Sequence, residues 1–191
     1  NAINYMAPHD TAGVGNMCPH ATPECMALCL GLESGQAAMV GASGTNAVRE
    51  SRKRKVRWFM AERDAFMREM IVHIGRLERK ARLLGLTLVV RLNGSTDIAW
   101  DGVRIDGKTV FELFPHIQFV DYTKNPARMR RALPSNYDLT FSHSGRNVAN
   151  CRDVLAYGRN VAVIFAGGLP ATWEGFPVID GDKHDLRHLD P

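Results

Sequence analysis

The chain has few cysteines and no long apolar run. Four cysteines in 191 residues are too few for a disulfide scaffold. No apolar run approaches the about 20 residues that a membrane-spanning helix needs, so no membrane partner is expected. No leader with an apolar centre precedes the cysteines, and the expected setting is a reducing cytoplasm where thiols stay free for metal. Walker A, GxGxxG and HExxH spacings are absent. His143 stands between two serines without a nucleophile elbow, so a hydrolase triad is not indicated.

What is present begins with the cysteines. Cys18, Cys25 and Cys29 follow the spacing Cys-x6-Cys-x3-Cys within one short stretch. Pro19 and Pro23 stiffen the loop between the first two by fixing φ. Met26 to Leu30 reads as the first turn of a helix, with Cys25 and Cys29 at i and i+4 on one face. Cys18 can fold back to complete a three-sulfur corner. Three converging thiolates suit an iron–sulfur cluster, [4Fe-4S] or [3Fe-4S], with one iron open to a ligand other than cysteine. Two other readings stay open. One is a structural zinc site that takes His20, His9 or Cys151 as fourth ligand. The other is a set of buried or paired cysteines without metal.

The balance of 45% hydrophobic and 23% charged residues fits one globular domain spanning residues 1–191. Within it, residues 1–35 carry the cysteine loop, 45–84 are helical and 86–191 alternate strands with helices. A net charge of +4 favours anionic partners. The stretch Arg49 to Arg57 concentrates that charge on a helix, which is either a solvated face or a surface for nucleic acid or phosphate. Thr45 is the expected cap of this helix. The basic helix Ala127 to Leu133, with Arg128, Arg130 and Arg131, adds to the case for nucleic acid. No aromatic series interleaves with the first stretch to stack bases.

Glu62 to Leu84 places Phe66, Met70, Ile74, Leu77, Ala81 and Leu84 at intervals of three or four, an amphipathic helix. From Leu86 the period changes. Strands are expected at Leu86–Leu92, Ile117–Val120, Tyr137–Phe141, Asn160–Phe165 and Phe176–Ile179, with helices between them. This alternation predicts an α/β fold with a mainly parallel sheet, as a partial (β/α) barrel or an open sheet.

Ligands of such folds bind beyond the carboxyl ends of the strands. Those ends are polar here: Asn93, Ser95 and Asp97; Asp121, Tyr122 and Lys124; Ser142; Asp180 and Asp182. Asp121, Lys124 and Asp97 are the candidates for proton handling. Asn93, Ser95, Tyr122, Ser142, Asp180 and Asp182 are candidates for contacting a bound group. Each residue type is also an ordinary cap or turn former. The Asp180–Asp182 turn lacks the ligand series of an EF-hand, yet its carboxylates suit a divalent ion and a nucleotide hydrolase.

The blocks Asn16-Met17-Cys18-Pro19, Cys25 with Cys29-Leu30, Val90-Arg91-Leu92-Asn93-Gly94, Asp121-Tyr122-Thr123-Lys124, Leu139-Thr140-Phe141-Ser142 and Val178-Ile179-Asp180-Gly181-Asp182 occur in this order. Together they resemble a bacteriophage family labelled "gene product eighty-eight", whose function is unassigned. The resemblance runs from about Tyr5 to the end of the chain. It implies phage origin and, with it, the cytoplasm of an infected bacterium. A more distant likeness is to radical-SAM proteins, in which three cysteines after the first barrel strand bind a [4Fe-4S] cluster that chelates S-adenosylmethionine. That likeness implies a radical-SAM-like barrel and S-adenosylmethionine as a cofactor. The spacing in that group is Cys-x3-Cys-x2-Cys, tighter than here, and its glycine-rich strand end is absent unless Asn93-Gly94-Ser95 replaces it. The substrate is left open.

Overall fold

Strand β1 (Ala2–Ile3) opens the computed structural model, which describes residues 1–191. Three short helices follow: α1 (Pro23–Ala27), α2 (Leu30–Glu33) and α3 (Gly35–Ala38). Then come the long helices α4 (Ala47–Ala61) and α5 (Arg63–Leu83), broken at Glu62. The remainder alternates as expected: β2 (Val89–Arg91), α6 (Val110–Leu113), β3 (Gln118–Thr123), α7 (Pro126–Met129), β4 (Tyr137–Ser142), α8 (Val148–Ala156) and β5 (Val161–Ala162).

The five strands form one parallel sheet in the order β1-β2-β3-β4-β5. The strands follow one another in sequence, with no reversal of order as in a doubly wound fold. It does not close, because β1 and β5 remain edges. The α/β class and the parallel sheet are therefore present, without a closed barrel.

Side chains alternate across the sheet. Val90, Leu92, Phe119, Tyr137, Leu139 and Phe141 face the helices and join one core with Phe59 of α4, Phe66, Met67 and Ile74 of α5, Phe111 of α6, Met129 of α7 and Val154 of α8. Phe111 binds this layer together, stacked on Tyr137 at 4.4 Å and edge-on to Phe119 at 4.9 Å. Such ring pairs contribute about 0.5–1.5 kcal/mol beyond their area. The opposite face carries Val89, Arg91, Val120, Tyr122, Thr140 and Ser142. The C-terminal turn Arg187–Leu189 packs against β4.

Several boundaries differ from expectation. Cys25 and Cys29 do not share a helix. Thr22 caps α1 and Pro23 starts it, but α1 buries none of its residues, so no core contact draws it onward. Leu28 closes it, and extended Cys29 caps α2 instead. Asn46, not Thr45, caps α4, accepting from the Arg49 N–H at 2.9 Å. The apolar runs Leu86–Leu92 and Asn160–Phe165 give only short strands, since β1 and the end of β4 offer them two partners each. Phe176–Ile179 is no fifth parallel strand. Phe176–Pro177 (β7) pairs antiparallel with Thr172–Trp173 (β6) across Glu174 and Gly175, whose φ of 51° and 84° make a hairpin turn. The fifth strand is Ala2–Ile3, at the very start of the chain.

Candidate functional site

The cysteine loop leaves β1 and lies over the carboxyl end of β2. The Cys18 thiol points at the Ser95 carbonyl oxygen at 3.7 Å, and the Ser95 hydroxyl donates to the Met6 carbonyl at 2.6 Å. Gly31, two residues past Cys29, touches the same spot: a Cβ there would sit 2.6 Å from Ser95 Cβ. Gly94 is equally confined, since its Cβ would meet Ile3 at 2.7 Å and the Asn4 carbonyl at 2.9 Å. Two glycines thus let three chain segments close on one another.

The basic helix α4 holds this loop in place. Arg49 donates to the carbonyls of Ala37 (2.7 Å) and Leu32 (2.8 Å). Arg52 donates to Gly31 and stacks on Tyr5, while Lys55 reaches the Tyr5 carbonyl at 3.1 Å and Arg57 the Ala12 carbonyl at 3.0 Å. A surface loop has many backbone carbonyls without strand or helix partners, and these cations supply the donors.

Cys18, Cys25 and Cys29 are drawn close enough for their charges to interact. Burial pushes the Cys18 thiol up to about 12, against the pull of the His9 backbone N–H, and Asp97, Cys29 and Cys25 raise it further. Burial also raises the Cys29 thiol, as does Cys25, while the N–H groups of Gly31 and Leu32 and the Lys124 charge act the other way. Each ionised sulfur would therefore repel its neighbours. No three His, Cys, Asp or Glu side chains stand close enough together to hold a single metal ion. Cys151 is not in this group. It is fully buried in α8, its thiol 3.7 Å from Asn147 Oδ1.

The strand-end residues divide into two sets. Asp121 lies inside β3 on the helix-facing side and is 1% exposed. Its Oδ1 accepts from the Asn93 N–H at 2.8 Å, and its Oδ2 from Asn93 Nδ2 at 3.3 Å and Tyr137 Oη at 3.2 Å. Burial raises its carboxyl from the ordinary 3.8 to about 7, opposed by those donors and by Arg91 and Arg128. Asn93 Oδ1 accepts from Thr96, the Ile98 N–H and Trp100 at 2.8–3.0 Å. Asp97 accepts from Thr123 (2.7 Å), the Lys124 N–H (2.9 Å) and Arg128 (3.2 Å). Asp121, Asn93 and Asp97 are thus occupied in tying the strand ends together.

The second set stays open. Lys124 Nζ donates to Ser142 Oγ at 3.0 Å, forms no ion pair, and its charge reaches Cys29. Tyr122 lies under the Arg91 guanidinium, 4.7 Å from its carbon. Asp180 caps a turn by accepting from the Asp182 N–H at 3.0 Å, and Asp182 is exposed. No third acid joins them to hold a cation.

The residues 1–191 match, over their whole length, the family model described as Gene product 88. The chain belongs to the Gene product 88 family. Neither curated proteins nor solved structures give a match, so the likeness to radical-SAM proteins gains no support from them. No helix is long and apolar enough to cross a membrane. In this family member two residues carry more than the sequence reading gave them, where His9 stood only among three possible fourth zinc ligands. His9 is 6% exposed with φ of 53°, and neither ring nitrogen has a partner. Arg91 appeared only as part of an apolar strand. A single cation interrupting such a run was the signal.

Proposed function

We propose that this Gene product 88 protein is a phage-encoded iron–sulfur protein whose cluster is held by Cys18, Cys25 and Cys29. The observation that carries the reading is the gathering of three thiols at the carboxyl end of the sheet. As thiolates they repel one another, and a bound cationic centre would relieve that repulsion. The N–H groups of His9, Gly31 and Leu32 suit sulfurs that carry negative charge. A zinc ion would draw such sulfurs to within about 2.3 Å of one centre.

A cluster with three cysteine ligands supplies an iron that can take S-adenosylmethionine or a substrate oxygen. The chain's own part is the rim around it. Lys124 is placed beside Cys29 to balance charge or hold a proton, and Ser142 orients its ammonium. Ser95 positions Cys18 through its carbonyl. Asp121 and Asp97, with their oxygens already engaged, fix the frame, and of the two only the Asp97 charge acts on Cys18.

The test is metal and acid-labile sulfide analysis of anaerobically purified protein, with its absorption and EPR spectra. Matching iron and sulfide are expected, and Cys25→Ala should lose both and the brown colour. Zinc without sulfide, or full iron in Cys25→Ala, overturns the assignment.

A further inference from the structure

We propose that Arg91 and Lys124 form an oxyanion-binding site, for a carboxylate or a phosphate group, on the sheet face turned away from the helices. The two lie on adjacent strands. Arg91 is the last residue of β2, and Lys124 follows the end of β3. Tyr122 stands between them on the same face and carries the Arg91 guanidinium on its ring. Thr140 pairs with Tyr122 across the sheet, and the Ser142 hydroxyl meets Lys124.

The decisive feature is how these cations differ from the others. Arg128 has Asp97, Asp101 and Tyr137 as partners. Arg187 has Asp190 and the Gly181 and His184 carbonyls. Arg49, Arg52 and Lys55 each hold backbone oxygens. Arg91 makes no ion pair and no side-chain hydrogen bond; its Nε is buried without a partner, as are those of Arg128 and Arg187, but those two have carboxylates on their other guanidinium nitrogens. The Asp121 carboxylate is on the opposite face of the sheet, with both oxygens engaged by Asn93 and Tyr137. A partly buried guanidinium without an oxygen is costly, and a bound oxyanion repairs the deficit through its fork of donors. Lys124 adds a second charge at the end nearer Cys29. The C-terminal segment borders the site, with Arg187, Asp185 and Asp190 near enough to act on Tyr122.

This site uses sheet residues and none of the cysteines, so it goes beyond the cluster reading and does not need it. The experiment is titration calorimetry of the full chain at fixed salt, with inorganic phosphate and, separately, with succinate. Saturable binding of one probe at one site is expected, and which probe binds separates a phosphate from a carboxylate ligand. Arg91→Gln and Lys124→Gln should each weaken it about tenfold or more, the loss of one charge-assisted bond. Arg91→Lys should fall between, because it keeps the charge without the fork, and it serves where Arg91→Gln fails to fold. Arg54→Gln, an exposed position of α4, should bind as the parent does. Failure of both probes to saturate, or binding by both Gln variants as tight as the parent's, overturns the proposal. Anion binding by anaerobically purified parent protein that carries neither iron nor sulfide removes the cluster reading alone. Iron without anion binding removes this inference alone.

Discussion

Two polar regions meet at the carboxyl ends of the strands, and they are built on opposite terms. On the helix-facing side, Asp121, Asn93, Asp97, Tyr137 and Arg128 satisfy one another almost completely. On the other side, Lys124 and Arg91 are cations without an ion-paired carboxylate, and the Lys124 charge acts on Cys29, one of three thiols that would repel once ionised. A saturated buried network stabilises and specifies a fold. A region with unmet charge is where binding can still lower the free energy. Polar residue type marks both regions equally, and only the partners tell them apart.

Removing Arg128 gives the largest effect on the saturated side. Arg128→Ala leaves Asp97 and Asp101 without their shared cation, and its side chain is only 1% exposed. A loss of about 3–5 kcal/mol in urea unfolding is expected. A loss under about 1 kcal/mol would erase the contrast between the two regions.

Asp121 provides a second mark of that side, in pH. Its carboxyl is raised from 3.8 to about 7 in the folded chain. Between those values the folded state binds more protons than the unfolded one, so stability falls as pH rises. Asp121→Asn should flatten that slope in unfolding curves taken from about pH 4 to 7. A slope unchanged by the substitution would assign the proton to another group.

The strands and the long helices were legible because burial imposes a period on them. Phe66, Met70 and Ile74 mark α5, and Leu139 and Phe141 mark β4, since all five must enter one core. What the pattern could not show was pairing. Ala2–Ile3 has too few residues to display a period, yet β2 needs an edge partner. Phe176–Ile179 has strand composition, but Glu174-Gly175 turns it back on Thr172–Trp173. In the candidate site, the cysteines were singled out from spacing alone. The division of the aspartates from Lys124 was not, because Asp97 and Lys124 owe their different roles to Arg128, Thr123 and Ser142, each distant in sequence from at least one of them.

The basic helix sharpens the comparison from a third direction. Read as a sequence, Arg49 to Arg57 offered its charge to a nucleic acid. Folded, Arg49, Arg52, Lys55 and Arg57 spend donors on carbonyls of the first 37 residues. Arg52→Ala should lower stability by about 1–2 kcal/mol, through the Gly31 bond and the Tyr5 stack. It should also loosen the Cys29 end of the corner, seen as faster amide exchange at Gly31 and Leu32. Unchanged exchange there would show that the loop holds itself.

Lys124→Ala is expected to have the smallest effect on stability and is the sharpest probe of the difference. Its ammonium meets one hydroxyl, Ser142 Oγ at 3.0 Å, and no carboxylate. Losing one such bond at a half-buried site, with no charge left stranded, should cost under about 1 kcal/mol. A residue that contributes so little to the fold is free to be selected for something else. If Lys124→Ala unfolds as readily as Arg128→Ala, the two regions are one structural network, and the open side of the sheet loses its claim to a ligand. If it stays folded while anion binding or iron content changes, the unmet charge belongs to function.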